Sequence, residues 1–290
     1  MGFGYVAQAL ATQLPPFETS IFGTVRSFPA LAHPAGADRL TLARFAEDRG
    51  AIAEALAESN ALLVTIPPSP AGDPALQAFR EEILRASRLR WIGYLSTVGV
   101  YGNHDGAWVD ETAPTRPTSP RLQQRLRAER AWLDLGQTLQ TPVHLFRLAG
   151  IYGPGRNALT KLQQGTAKRV IRPGLVWNRI HVADLVSILA ASLQKPRAGA
   201  VYNVSDDLPA PPQDVVTFAA QLLGVEPPPP IRLDAPELSA LEQSFYTDHK
   251  RVCNRRVKEE LGVTLQFPTY HEGLPALWKA LPAAGITTLR

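Results

Sequence analysis

Cysteine is almost missing from this sequence. Cys253 is the single one in 290 residues, which excludes an internal disulfide and any multi-cysteine metal site. Its plain reading is a small filler on a helix, not a nucleophile. No uninterrupted apolar run reaches the length needed to span a bilayer, and the N-terminus lacks the basic segment and apolar core of a secretory signal. A cytoplasmic, soluble protein with no membrane partner is the expectation. Charged residues are sparse at 19%, and the net charge of +4 is modest. The basic residues are mostly arginine, dispersed along the chain, and the five tryptophans form no stacking ladder, so no nucleic-acid partner is expected. The pI of about 9.3 argues weakly for an anionic ligand.

What the chain does have is 45% apolar residues, enough to bury a full core in one large domain, or a domain with a smaller companion. Apolar runs of strand length alternate with longer helical patterns, the mark of an α/β fold. Ser20–Val25, Ala61–Ile66, Arg90–Ser96, Pro142–Leu148 and "AVYNVS" read as strands. Several are continuously apolar, as parallel strands covered on both faces must be. Helices are expected in "DPALQAFREEILRAS", with Pro74 near its start, and in "TSPRLQQRLRAERAWLDL", with Thr118 or Ser119 as cap and Pro120 in the first turn. A further amphipathic helix is "ADLVSILAASLQ". From Ile151 glycine and proline become frequent, and "GVEPPPPIRL" reads as a stiff extended connector.

The opening residues carry the first functional signal. Gly2, Gly4 and Ala7 are spaced as the small positions of a dinucleotide turn, and a helix-forming run follows at once. Glycines let the backbone approach a diphosphate, the helix N-terminus offers free N–H groups and the positive end of a dipole, and Ala7 permits close helix–strand packing. Phe3, Tyr5 and Val6 complete that turn. About twenty residues on, where a ribose-selecting side chain belongs, stand Arg26 and Ser27. A guanidinium beside a hydroxyl suits a 2′-phosphate, which favours NADP(H), with NAD(H) as the other option. Such a turn follows a β-strand, yet only Met1 precedes it. The expectation is that the first, central strand is missing from the N-terminus as given, with a strand of about five to eight residues belonging upstream.

Ser96-Thr97 followed by Val100-Tyr101-Gly102, then "FRLAGIYGPGR" (Phe146–Arg156), "NRIHVADL" (Asn178–Leu185) and "VYNVSDD" (Val201–Asp207), resemble in order the motifs of the extended short-chain dehydrogenase/reductase superfamily, the NAD-dependent epimerase/dehydratase-like proteins. The resemblance covers nearly the whole chain. It implies a Rossmann domain, a doubly wound parallel sheet, over residues 1–149, to which 178–204 return. Residues 150–290 would form a smaller C-terminal region on the substrate side. It further implies that Ile66, Pro67 and Pro68 lie beside the adenosine and pyrophosphate, that Ala149 and Gly150 lie beside the nicotinamide, that Ser96 belongs to the cofactor site, and that Thr97 orients a substrate carbonyl or hydroxyl. Members often pair as homodimers through the helix that here carries Arg121 and Arg125.

The chain departs from the family where the chemistry sits. Counted from Ala128-Glu129, the positions of the catalytic Tyr-x-x-x-Lys pair hold Arg121 and Arg125. Arg125, at the lysine position, can act as a fixed cation, but a guanidinium donates no proton near neutral pH. This resembles the atypical, YeeZ-like branch of the family. Tyr101, Tyr152 and His181 are the candidate replacement acids, each with an ordinary packing role as its alternative. Nucleotide-sugar enzymes commonly carry an arginine four residues before the His of the His-Val segment; here that residue is Trp177, with Arg179 two further on. Asp105, Asp110 and Glu111 read as solvated turn residues, Asp184 as a helix cap, and Lys250, Arg251, Arg255 and Arg256 as a basic helical cluster. No metal is expected. Three functions remain: an NAD(P)-dependent oxidoreductase or epimerase-like enzyme on an unidentified small-molecule substrate, a non-catalytic NADP(H) sensor or scaffold, and a nucleotide-sugar epimerase or dehydratase.

Overall fold

The computed structural model describes residues 1–15, 18–28 and 39–280; residues 281–290 of the expected C-terminal region lie outside them. In chain order the first half comprises α1 (Tyr5–Gln13), β1 (Ile21–Val25), β2 (Leu40–Arg44), α2 (Arg49–Glu58), β3 (Ala61–Val64), α3 (Pro74–Arg85) and β4 (Trp91–Thr97). A 3-10 turn at Val98–Tyr101, β5 (Trp108–Val109), α4 (Pro120–Leu139) and β6 (Val143–Leu148) follow. Beyond them come β7 (Gly150–Tyr152), α5 (Ala158–Gln163), β8 (Arg169–Val170), β9 (Arg179–His181), α6 (Val182–Gln194) and β10 (Ala200–Val204). The chain continues through α7 (Pro212–Leu223), β11 (Pro230–Ile231), α8 (Ala240–Ser244), β12 (Arg251–Val252), α9 (Arg255–Leu261) and α10 (Tyr270–Lys279).

The fold is of the α/β Rossmann type. Four strands pair in the order β10-β6-β4-β3 and two more as β1-β2, every pairing parallel. Met1–Phe3 joins the two sets. Phe3 N donates to Thr24 O at 2.7 Å, while Thr65 N donates to Met1 O at 2.9 Å. β3 ends at Val64, short of the expected Ile66.

Helices cover both faces. Val6 and Leu10 of α1 and Leu185, Ile188 and Leu189 of α6 pack on Trp91, Leu95, Phe146 and Tyr202. On the other side, Ile52 and Leu56 of α2, Phe79 and Ile83 of α3, and Trp132 and Leu135 of α4 pack on Val64, Ile92, Tyr94, Val143 and Leu145. Each such side chain contributes about 1.5–3 kcal/mol when fully buried. Val257 and Leu261 of α9 join the first of these cores, so the sheet recruits a segment well beyond residue 204. α5, α7 and α10 share a separate core built on Leu159, Ala219 and Leu274.

Local chemistry sets the helix starts. The Asp73 carboxylate accepts from Ala75 N and Leu76 N at 3.0 and 3.1 Å, with Pro74 in the first turn of α3. Ser119, not Thr118, caps α4. β2 and α2 have no counterpart in the expected elements: β2 is mostly half-exposed, and α2 buries only Ile52 and Leu56. The expected extended connector contains β11, which pairs with β8. Among the described residues no helix is long and apolar enough to cross a membrane.

Candidate functional site

The glycine turn is held between two strands. Gly2 N donates to Thr24 Oγ1 at 2.8 Å, and Gly2 has a φ of +87°. A Cβ built there would lie 2.5 Å from Thr65 Oγ1, so the turn tolerates only glycine at this position. Gly4 is the N-cap residue of α1 and supplies no side-chain cap. An added Cβ on Gly4 would meet nothing within 4 Å. The first N–H returned into the helix is that of Gln8, to Gly4 O at 2.9 Å. The N–H groups of Tyr5, Val6 and Ala7 therefore have no acceptor among the described residues. Open space beside three free donors at the positive end of a helix fits a diphosphate. Arg26 and Ser27 are exposed just past β1, the strand that holds Gly2 and Phe3; Ile66 and Pro68 are half-buried and Pro67 exposed just past β3. Phe3 packs against Gly23, and Val6 is buried.

Thr97 stands at the carboxyl end of β4, half-buried, with Oγ1 accepting from Gly99 N at 3.1 Å. Arg125 donates from Nη1 to Leu95 O at 2.9 Å and to Tyr94 Oη at 3.0 Å, and lies over the Tyr94 ring. One guanidinium nitrogen is thus spent on β4. Arg121 is exposed and sits 5.7 Å from the ring centre of Phe245. Ala149 N donates to Val204 O and Gly150 N to Asn178 O, both at 3.0 Å, which pins this stretch across the ends of β6 and β10.

Beneath these residues runs a buried polar row that sequence reasoning did not find. Register sets Ser96 opposite Arg147 and Arg147 opposite Asn203. Glu129 of α4 accepts from Arg147 Nη2 at 2.8 Å and also from Ser96 Oγ. Arg147 Nη1 donates to Tyr101 Oη at 3.0 Å, and Tyr101 in turn donates to Asn203 Oδ1 at 2.7 Å. Burial disfavours the Arg147 charge, but the hydrogen bonds and charge of Glu129 outweigh it and hold the guanidinium ionised. The one available signal was an arginine inside the mainly apolar run of β6. Ser96 turns its hydroxyl to Glu129 of α4. Tyr101 is wholly buried, its phenol pushed up by burial and bonded on both sides, to Arg147 and Asn203.

The other candidate acids also face inward. Tyr152 donates to Thr269 O at 3.4 Å, and burial pushes its phenol far up. His181 caps α6 by accepting from Ala183 N at 3.2 Å; its ring lies between Tyr152 and Phe267, and burial lowers it to about 4. Asp184 is therefore not the cap: it accepts from Gln266 N at 2.6 Å and Phe267 N at 3.0 Å, tying α6 to the segment before α10. Arg179 donates to Trp177 O and Ala210 O at 3.0 and 3.1 Å inside the protein, beside Asp206, whose carboxyl burial raises to about 8.

Glu111 is no solvated turn residue. It accepts from Asn203 N at 2.8 Å, burial raises its pKa, and Arg256 lies 3.9 Å away. Asp110 does serve its turn, accepting from Thr112 N at 2.9 Å, and Asp105 accepts from Asn103 Nδ2 at 2.7 Å. The expected basic cluster is dispersed: Lys250 is buried and donates to Gly102 O at 2.8 Å, Arg251 bonds Gly106 O, and Arg255 and Arg256 line a shallow cleft of about 220 Å³ with Cys253.

A family model for NAD dependent epimerase/dehydratase proteins matches residues 81–205. Protein YeeZ of Escherichia coli (strain K12) is 32% identical over 225 residues, 74% of each chain. A conserved protein of unknown function from Silicibacter pomeroyi DSS superposes with a TM-score of 0.88 at 45% identity over 96% of both chains. DesIV, a dTDP-glucose 4,6-dehydratase from Streptomyces venezuelae solved with NAD and TYD bound, has a TM-score of 0.74 at 18% identity over 95% of this chain and 93% of that one, a likeness of fold.

Proposed function

This chain belongs to the NAD-dependent epimerase/dehydratase family, and from that premise we propose that it is an NADP(H)-binding enzyme of the atypical short-chain dehydrogenase/reductase type, an oxidoreductase or epimerase acting on a small molecule. The observation that carries this reading is the uncapped start of α1, opening onto the space beside Gly4. The N–H groups of Tyr5, Val6 and Ala7 would hold the diphosphate, with Arg26 and Ser27 on the 2′-phosphate. Ile66, Pro67 and Pro68 would flank the adenosine side, and Ala149 with Gly150 the nicotinamide side. The bound nicotinamide supplies or accepts a hydride. Thr97 already accepts from Gly99 N, so its hydroxyl proton is the part left to give to a substrate oxygen. Arg125, anchored by one nitrogen on Leu95 O, presents the rest of its guanidinium as a fixed positive charge. Residues from 150 onward would shape the substrate side, and two chains would pair through α4 in the cytoplasm.

One observation favours a second reading, a non-catalytic NADP(H) sensor. Arginines stand at both positions of the proton-handling pair, and Tyr101, Tyr152 and His181 are all turned inward. A nucleotide-sugar substrate draws less support, because Arg179 spends its guanidinium on Trp177 O and Ala210 O inside the protein.

Fluorescence titration of the protein with NADPH and NADH tests the core of the proposal. NADPH is expected to bind at least tenfold more tightly, about 1.4 kcal/mol, and Arg26→Asp to reverse that order. Equal or better affinity for NADH in the unaltered protein overturns the assignment of Arg26. Oxidation of NADPH by a panel of carbonyl compounds selects the enzyme; tight binding without turnover selects the sensor.

A further inference from the structure

We propose that Arg156 is a second cation for the cofactor diphosphate, brought onto the glycine turn from the substrate-side loop. The inference rests on the cofactor reading above and asks what balances the charge there. The first turn of α1 carries Tyr5, Val6, Ala7 and Gln8, without a basic side chain. Its N–H groups offer dipoles, whereas a diphosphate carries formal charge. Arg26 lies past β1 and is assigned to a different phosphate.

The loop after β7 approaches this helix end directly. Tyr5, the first residue of α1, donates its hydroxyl to Pro154 O at 3.2 Å. The Arg156 guanidinium carbon lies 5.7 Å from the centre of the Tyr5 ring, a cation held over an aromatic face. That side chain is exposed and makes no hydrogen bond or ion pair among the described residues. Its five donors are free.

The base of Arg156 is rigid. Gly153 N and Arg156 O, and Arg156 N and Gly153 O, exchange hydrogen bonds of 3.0 Å. Asn157 Nδ2 donates to Gly153 O at 2.8 Å while its Oδ1 accepts from Thr160 N at 2.9 Å to start α5. A Cβ on Gly153 would lie 2.5 Å from Tyr5 Oη and 2.6 Å from Val182 Cγ1, so only glycine lets the loop come this close. The result is a short, braced turn that presents a free guanidinium beside the one helix end where Gly4 leaves room for an anion.

The test compares the unaltered protein with Arg156→Ala and Arg156→Lys, using NADPH and adenosine 2′-phosphate as probes. The second probe has the phosphate assigned to Arg26 but no diphosphate. Arg156→Ala is expected to weaken NADPH binding about tenfold at low salt, as for a half-solvated charge-assisted bond. Arg156→Lys should lose about threefold or less, since the charge stays and the fork does not. Binding of adenosine 2′-phosphate, read by displacement of NADPH, should be unchanged, and the salt dependence of NADPH binding should flatten in the alanine variant. NADPH affinity within twofold of the unaltered protein, or an equal loss for both probes, overturns the role of Arg156 alone. Failure of the unaltered protein to bind NADPH overturns the cofactor reading and Arg156 with it. Melting temperatures of both variants, expected to stay at the unaltered value, separate a lost contact from a lost fold.

Discussion

Replacing Glu129 by alanine strands Arg147. The two side chains are 2% and 9% exposed, and the guanidinium loses hydrogen bonds of 2.8, 3.3 and 3.3 Å together with its counter-charge. Ser96 loses its acceptor in the same step. Tyr101 Oη remains as a neutral partner at 3.0 Å and does not balance the charge. Removing one member of a buried pair costs about 3–5 kcal/mol, because the other is left desolvated and unpaired. At roughly 2–4 °C per kcal/mol for a chain of this size, the melting temperature should fall by about 6–20 °C. The double variant Glu129→Leu with Arg147→Met removes both desolvation costs and should recover most of that loss. Urea denaturation of the unaltered protein and the two variants at pH 7 measures each cost. The Met1–Ala7 turn is anchored on Thr24 and Thr65 and makes no hydrogen bond to this row, so NADPH affinity of the folded variants should hold. A single-variant cost below about 1 kcal/mol, or a double variant no more stable than the single, would refute the reasoning.

Gly2→Ala combines a φ of +87° with a Cβ 2.5 Å from Thr65 Oγ1; NADPH binding should weaken at least about tenfold as the turn shifts by strain of about 1–3 kcal/mol, and an unchanged titration would detach the turn from the cofactor. For His181 the folded value, about 4, lies below its ordinary 6.5, so the unfolded chain takes up the proton first as pH falls. The stability from the neutral ring is present above 6.5 and is lost between 6.5 and 4, up to about 3 kcal/mol. His144 is lowered to about 4 in the same way, while the Asp206 carboxyl, raised to about 8, works in the opposite direction over this range, so His181→Asn, which keeps an acceptor for Ala183 N, should lower the slope of stability against pH between 4.5 and 6.5 by up to about 1.4 kcal/mol per pH unit, read by denaturation. Tyr101→Phe should cost about 1–2 kcal/mol of stability through lost hydrogen bonds while leaving NADPH affinity, and any turnover found, intact per folded molecule; a folded variant with abolished turnover would return Tyr101 to the proton path.

Three kinds of feature were legible along the chain because they are written in neighbouring residues. β4 and β6 are mainly apolar runs of strand length, Asp73-Pro74 and Ser119-Pro120 mark helix starts, and Gly2-x-Gly4-x-x-Ala7 before a helical run marks a turn that leaves N–H groups free. Those local rules, with the order of the later motifs, were sufficient for the α/β class and for the family. β2 and α2 escaped because each buries one or two side chains, too few for a periodic signal.

What the linear order could not settle is which polar side chains look into the cleft and which into the core. Tyr101 and Ser96 read as parts of the site, Glu111 as a solvated turn residue and Asp184 as a helix cap, yet each of them, like Arg179, is spent on a partner brought near by strand register or helix packing. Tyr101 finds its acceptor, Asn203, 102 positions away. Arg156 is the opposite case, a side chain in a glycine-rich loop that only the approach of Gly153 to Tyr5 brings to the start of α1, 149 positions from where Pro154 takes its hydrogen bond. A sequence specifies the strength of each local preference; whether a hydroxyl or a guanidinium is free to meet a ligand depends on contacts between distant segments, and those exist only once the sheet has closed.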